Sequence, residues 1–377
     1  MSSVVPFEVA ISDPQVQDLR RRLELTRLPE RETVDDWSQG APLAYVRSLL
    51  TYWRDGYDMK RLEPRLNAFP QFMTHIDDLD IHFIHVRSAE AGARPLLLTH
   101  GWPGSVVEFL NAIPMLVDPV RHGGKSSDAF HVICPSLPGY GFSAKPSRAG
   151  WGVARIAKAF AELMARLRYD SYFAQGGDWG SAVTSAIALH DPQHCRAIHL
   201  NMVAAQPTAE QLQSPTEAEK RALERLAYYR DWDSGYSKEQ STRPQTIGYS
   251  LTDSPAGLLA WIVEKFWSWT DSDGDPLKVL GKDQILDNVM VYWLNAAGAS
   301  SARLYWESFR DFSSGEVTTP TGVSLFPREI IQTSRRWAEN RYKNITYWNA
   351  VERGGHFAAF EQPILFTEEL RRFFAQI

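Results

Sequence analysis

Gln175-Gly176-Gly177-Asp178-Trp179-Gly180-Ser181 is the stretch on which the reading of this chain turns. Tyr169 to Ala174, ahead of it, reads as a short buried strand, and Ala182 to His190, behind it, as a helix of small and apolar residues. A strand that turns sharply into a helix needs small residues around the turn, because a side chain at Gly176 or Gly180 would strike neighbouring backbone. The pattern is that of a nucleophile elbow, G-x-S-x-G, with Asp178 where a serine would stand. It predicts an enzyme that attacks with a carboxylate.

Working outward, strands alternate with helices on both sides of the elbow. Residues 75–206 read as the first part of an α/β core. His75–Asp78 and Ile81–Val86 form a meander there, and Pro95–His100, Phe130–Pro135 and Ala197–Asn201 are strands. Ile156, Phe160, Leu163, Met164 and Leu167 mark a helix face between them. Such alternation predicts a mostly parallel sheet flanked by helices. From 207 to 318 the pattern becomes helical, charged and aromatic, as an inserted helical cap would be. Residues 319–377 resume the core with strands at Gly322–Phe326 and Ile345–Val351 and a last helix over Pro363–Phe374. Residues 1–74 read as a helical wrapping segment without strands of its own. Asp13 and Pro14 open one helix, Trp37, Tyr45, Leu49 and Trp53 mark another, and Leu66–Phe72 is a loop.

The chain has 377 residues, 44% hydrophobic and 23% charged, an ordinary balance for a globular protein with one large core and insertions. A net charge of -5 gives no pull toward nucleic acid or an anionic membrane. No apolar run is long enough to span a bilayer, and Met1-Ser-Ser-Val-Val-Pro-Phe-Glu lacks a leader's basic start and apolar core, so a cytoplasmic enzyme is expected. Cys134 and Cys195 sit in apolar contexts and are expected to be buried thiols.

Three further stretches carry chemistry. His100-Gly101-Trp102-Pro103-Gly104-Ser105 is a glycine-rich loop at the end of a strand, where open α/β sheets bind ligands. It can aim the Trp102 N–H at a developing oxyanion, with the Trp179 N–H as second donor. His100 and Pro103 of this loop, and Trp293 of the cap, are expected to line the substrate pocket. His356, in Gly354-Gly355-His356-Phe357, is the histidine at a late strand's end after the nucleophile, as the order nucleophile…acid…histidine requires. Pro327-Arg328-Glu329 directly follows the Gly322–Phe326 strand, and Glu329 is the acid of this stretch. It is preferred as the partner of His356 over Glu316, before that strand, and Glu339, in the helix beyond. A carboxylate at position 178 needs no base to start. It suits attack on a saturated carbon bearing a leaving group, since the resulting ester can be cleaved by water whereas a serine ether cannot. His356 then acts as general base on that water. A halide leaves as an anion and wants indole N–H donors, whereas an epoxide oxygen leaves as a strongly basic alkoxide and wants a proton donor such as tyrosine, with a pKa of about 10. Tyr236 and Tyr305 are candidates in the cap, and the residues alone do not select them from 14 tyrosines.

With these stretches in place the chain resembles the α/β-hydrolase-fold epoxide hydrolases of the microsomal type, along nearly its whole length. The resemblance rests on Phe69-Pro70-Gln71-Phe72, the His100–Ser105 loop, Pro135-Ser136-Leu137-Pro138-Gly139-Tyr140-Gly141-Phe142-Ser143 and Gly177-Asp178-Trp179-Gly180. It also rests on Gly322 to Glu329 and on Arg353-Gly354-Gly355-His356-Phe357-Ala358-Ala359. It implies that Tyr236 and Tyr305 are the acid tyrosines, that Trp102–Pro103 is cis, and that no cofactor or metal is used. The implied partners are an epoxide and water, with neither nucleic acid nor membrane. The oligomeric state stays open, a homodimer included. The 13 Trp, 14 Tyr and 18 Phe are dense in the cap, which predicts apolar or aryl epoxides. The departure from microsomal relatives is the missing N-terminal anchor, which makes the chain similar to soluble bacterial and fungal members. Two rivals remain. A haloalkane dehalogenase shares the elbow and oxyanion loop and would release halide without needing the tyrosines. An idle ligand-binding module would bind epoxide without turnover and would have no need of Asp178, Glu329 and His356 together.

Overall fold

Leu96, Leu97 and Leu98 are all fully buried, the pattern of a strand covered on both faces. The computed structural model, which describes residues 3–312 and 315–377, places them in the middle of a twisted sheet. Nine strands appear among the described residues: β1 (Val4–Phe7), β2 (Gln71–Ile76), β3 (Leu79–Val86), β4 (Arg94–Thr99), β5 (Phe130–Pro135), β6 (Tyr172–Gly176), β7 (Cys195–Leu200), β8 (Thr321–Leu325) and β9 (Ile345–Ala350). They lie in the order β1-β2-β3-β5-β4-β6-β7-β8-β9. The β1–β2, β2–β3 and β3–β5 pairs are antiparallel, and every pairing from β5 to β9 is parallel. The strand order reverses at β4, which has β5 on one side and β6 on the other. The loops leaving β4 and β6 therefore meet at the carboxyl edge of the sheet, where such folds bind ligands.

The helix Trp179–His190 is buried along nearly its whole length, from Trp179 to Ala188. That is why Gly180, Ser181, Ala182 and Ser185 are small: the helix runs between the sheet and neighbouring elements with no solvent face to fill. The helix Val153–Arg166 instead buries one stripe, Ile156, Ala157, Phe160, Leu163 and Met164.

Three local expectations need correction. The first seventy residues do contain a strand, β1, paired to β2 with Val4 opposite Thr74. Its Pro6 is tolerated because β1 is the sheet's edge. Leu66–Phe72 is not one loop: Leu62–Asn67 is helical and Gln71 and Phe72 open β2. Asp77 and Asp78 are not strand residues but a turn between β2 and β3, both with positive φ (47° and 68°), as a two-residue hairpin loop requires.

Between β7 and β8 the chain runs through a helical excursion whose main members are Glu217–Tyr228, Gly235–Thr242, Pro244–Asp253, Pro255–Trp269, Lys282–Leu294 and Gly298–Ser308. A π-helical turn, Tyr229–Asp233, joins the first two. The N-terminal segment grips this excursion from outside. Trp37 stacks flat on Trp267 at 4.9 Å, and Tyr52 and Tyr57 donate to Asp283 (2.7 Å) and Asp287 (2.8 Å). The expected packing over the core is thus in large part packing over the cap. No helix among the described residues is long and apolar enough to cross a membrane. Cys134 and Cys195 are both free and buried.

Candidate active site

The turn after β6 is as tight as its glycines imply. Asp178 has φ 49° and ψ -130°, a strained conformation that lifts its carboxylate off the sheet edge. A Cβ on Gly176 would lie 2.1 Å from the Gly180 carbonyl oxygen, and one on Gly180 would lie 1.9 Å from that of Thr99. The Ser181 hydroxyl and N–H both donate to the Asp178 carbonyl, at 2.7 and 2.9 Å, and fix the turn.

The loop after β4 closes over this carboxylate. A Cβ on Gly101 would fall 2.2 Å from Asp178 Oδ1, so only glycine lets the two approach. The Trp102–Pro103 bond is cis, and the Trp102 N–H donates to Asp178 Oδ1 at 2.8 Å. Trp179 is the first residue of its helix, so its N–H is one of the first-turn donors with no intrahelical acceptor. The helix Lys282–Leu294 braces the loop. Asn288 Nδ2 donates to the Pro103 carbonyl and the Tyr292 hydroxyl to the Gly104 carbonyl.

His356 arrives from the other side. Its N–H donates to the Trp269 carbonyl at 2.9 Å, and a Cβ on Gly355 would lie 2.3 Å from that same oxygen. His356 Nδ1 is 2.7 Å from Glu329 Oε1 and its Nε2 is 3.3 Å from Asp178 Oδ2. Glu329 is wholly buried; Oε1 also accepts the Ile330 N–H, while Oε2 has no partner among the described residues. Glu316 and Glu339, the other acids considered, pair instead with Lys343 and Arg335 at the surface. Burial alone would lower the His356 pKa, but the carboxylates on its two nitrogens outweigh it and hold the imidazole well above its usual value.

Tyr236 and Tyr305 face the nucleophile from the cap. Both line one apolar cavity of about 480 Å³ together with Asp178, Trp179 and Tyr229. The indole of Trp102 stacks flat on Tyr236 (4.9 Å) and edge-on to Tyr305 (5.9 Å), and Trp179 meets Tyr305 edge-on at 4.8 Å. The Tyr305 hydroxyl is buried without a partner among the described residues, and that of Tyr236 is 3.0 Å from the Tyr229 hydroxyl. Burial pushes both phenols well above their ordinary pKa, so both hold their protons. The buried ammonium of Lys265, paired with Asp233, lies 4.7 Å from the Tyr236 ring centre.

The expected pocket residues are placed differently. His100 is buried, its Nδ1 against the Gly101 carbonyl and its Nε2 accepting the Leu137 N–H. Burial lowers its pKa to about 4, so it is a neutral brace of the loop. It lines a second, small cavity, to which Asp178 also contributes, rather than the large one. Pro103 lines neither. Trp293 also lines neither and sits half-buried beside Arg22, whose guanidinium is 5.7 Å from its ring. The reason is helical phase: Tyr292 reaches the loop, and the next residue is turned by about 100°. Tyr229 and Glu108, which line the two cavities, are the residues the sequence reading passed over. No grouping of His, Cys, Asp and Glu among the described residues could hold a metal ion.

Residues 4–109 match the family model described as the epoxide hydrolase N terminus, and residues 94–251 match that of the alpha/beta hydrolase fold. A protein of Stigmatella aurantiaca named "Putative epoxide hydrolase" is 54% identical over 99% of this chain and 85% of its own length. Epoxide hydrolase 1 of Sus scrofa is 37% identical over 98% of this chain and 88% of its own. Among solved structures, the juvenile hormone epoxide hydrolase of the silkworm Bombyx mori superposes with a TM-score of 0.92 at 34% identity, covering 100% of this chain and 95% of that one. The Aspergillus niger epoxide hydrolase gives 0.89 at 33% identity, covering 100% and 97%.

Proposed function

The chain belongs to the epoxide hydrolase family, and from that premise we propose that it opens apolar or aryl epoxides to vicinal diols through an ester on Asp178. The observation that carries this reading is that Asp178, Tyr236 and Tyr305 share one apolar cavity of about 480 Å³, large enough for an aryl-bearing substrate. The epoxide oxygen sits between the two phenol hydroxyls. Asp178 Oδ2 attacks a ring carbon, the C–O bond breaks, and the alkoxide takes a proton from a tyrosine. Tyr229, hydrogen-bonded to Tyr236, and the ammonium of Lys265 ease the charge left on that ring.

Esterification removes the negative charge of Asp178, one of the two groups that raise His356. The imidazole then loses its proton more readily and becomes the base for the second half-reaction. It takes a proton from water, whose oxygen attacks Asp178 Cγ. The oxyanion forms on Oδ1, already bonded to the Trp102 N–H and within the first turn of the helix that Trp179 opens. Collapse breaks the ester C–O bond: the departing alkoxide takes the proton that His356 holds and leaves as the diol, and the proton on the re-formed Asp178 carboxyl returns to the tyrosinate left by ring opening. Glu329 holds the His356 ring in place throughout and stabilises it when it is charged.

Diol release from an aryl epoxide, with an alkyl halide as control, tests the assignment. Wild type is expected to form diol and release no halide, and Asp178→Ala neither. Diol formation by Asp178→Ala at the wild-type rate would overturn it.

A further inference from the structure

The N-terminal segment and the cap enclose a further cavity, of about 710 Å³, which shares only Tyr236 with the cavity that takes the epoxide. Six aromatic rings line it: Trp37 from the segment, and Tyr228, Trp232, Tyr236, Trp261 and Trp267 from the cap. Several of these rings are fixed by their neighbours. Trp37 stacks flat on Trp267 and meets Tyr45 edge-on, each at 4.9 Å, and Trp261 Nε1 donates to Gln240 Oε1 at 3.2 Å. Trp232 is instead 80% exposed, although it lines the cavity. It stands on the π-helical turn Tyr229–Asp233, a conformation that recurs at functional sites.

The charged residues of the cavity are Asp233, Glu264 and Lys265, so two carboxylates share one ammonium. Lys265 Nζ lies 2.7 Å from both Asp233 Oδ1 and Glu264 Oε2. Asp233 is satisfied further, since its Oδ2 accepts from Trp269 Nε1 at 2.7 Å and from the Ser268 hydroxyl at 3.2 Å. Glu264 has Lys265 alone among the described residues, and its side chain keeps 24% of its surface open. Burial raises the Glu264 pKa, and Asp233 adds to the rise while Lys265 opposes it. One carboxylate of the pair is thus short of positive charge, beside a wall of aromatic rings.

We propose that this cavity binds an organic ammonium ion with apolar substituents, its positive head held by the aromatic rings and the open oxygen of Glu264. Ring faces attract such a head, and a quaternary ammonium brings no N–H that needs an acceptor. A metal ion asks for several oxygen ligands at once. No grouping of His, Cys, Asp and Glu among the described residues supplies them. The site does not depend on the ester mechanism, and its occupancy is read without an epoxide present.

Titration calorimetry on the full chain compares benzyltrimethylammonium with its neutral near-isostere, benzyldimethylcarbinol. Wild type is expected to bind the cation with a Kd of about 1 mM or tighter, and the carbinol at least about tenfold more weakly. Glu264→Gln keeps the shape and is expected to weaken cation binding at least about tenfold. Trp232→Ala is expected to weaken it about fivefold. Trp232 is largely exposed, so that variant keeps the test open should Glu264→Gln be poorly stable. Asp178→Ala is expected to bind the cation as wild type does, which separates this site from the substrate cavity, where Asp178 would be the counter-charge. The proposal is overturned by the absence of saturable binding to wild type, or by equal binding of the carbinol. It is also overturned by binding that Asp178→Ala weakens while Glu264→Gln and Trp232→Ala leave it unchanged.

Discussion

Glu329 and His356 meet at 2.7 Å, and the second oxygen of Glu329 is buried with no partner among the described residues. All the stabilisation that this carboxylate offers a charged group is thus directed at one imidazole and one backbone N–H. Glu329→Gln keeps the shape and removes the charge. Ester hydrolysis is expected to fall by about 10²-fold or more, with a much smaller change in alkylation, because His356 acts only in the second step. Stopped-flow measurement of both steps checks it.

Tyr236 and Tyr305 differ in their surroundings, since Tyr236 has a hydroxyl partner in Tyr229 and Tyr305 has none. Either Tyr→Phe change is expected to slow alkylation by roughly tenfold, because the other phenol still donates. The double variant is expected to lose about 10³-fold, the range of general acid catalysis. Tyr229→Phe, one step removed, is expected to cost less than either. Rates for the three single variants and the double variant, on one epoxide, decide this.

The two half-reactions are expected to respond to pH differently. Burial raises both phenols, so they remain donors, and the alkylation rate is expected to be flat from neutrality to about pH 10, the ordinary phenol value. Hydrolysis needs His356 unprotonated. Its pKa is raised in the free enzyme and falls once Asp178 is esterified, so hydrolysis is lost as pH drops through the value in the ester form. Pre-steady-state profiles of each step test this; alkylation that declines between pH 8 and 9 would contradict it.

The grip of the N-terminal segment on the cap centres on Asp287. It is fully buried, accepts from Tyr57 at 2.8 Å and pairs with Arg65 and, at 3.4 Å, Arg61. Removing it strands Arg65 and a buried phenol, while Arg61 keeps Asp283 at 3.7 Å. Asp287→Ala is expected to destabilise by about 3 kcal/mol, the low end for a broken buried pair because both arginines retain some exposure. Denaturant unfolding measures it.

Residues whose roles depend on backbone shape were legible in the sequence. Gly176, Gly180 and Gly101 mark close approaches that admit no side chain, and they bracket Asp178 and Trp102. Residues placed by packing across elements were not. Ser105-Val-Val-Glu108 has the spacing of a helix cap, which hides the position of Glu108 beside the nucleophile. Tyr228 and Tyr229 are neighbours in sequence, yet Tyr228 is 58% exposed while Tyr229 lines the substrate cavity. Trp293, expected at the pocket, is turned away by helical phase while its neighbour Tyr292 reaches the oxyanion loop. β1 escaped because it is short, contains Pro6 and finds its partner some seventy residues away.

The central claim is that Asp178 attacks the epoxide and water attacks Asp178. A single turnover in water enriched in heavy oxygen, with enzyme in excess and the diol analysed by mass spectrometry, tests it most directly. The first diol is expected to carry light oxygen taken from Asp178, and the label is expected in the Asp178 carboxylate. Heavy oxygen in that first diol would show direct attack by water and contradict the account.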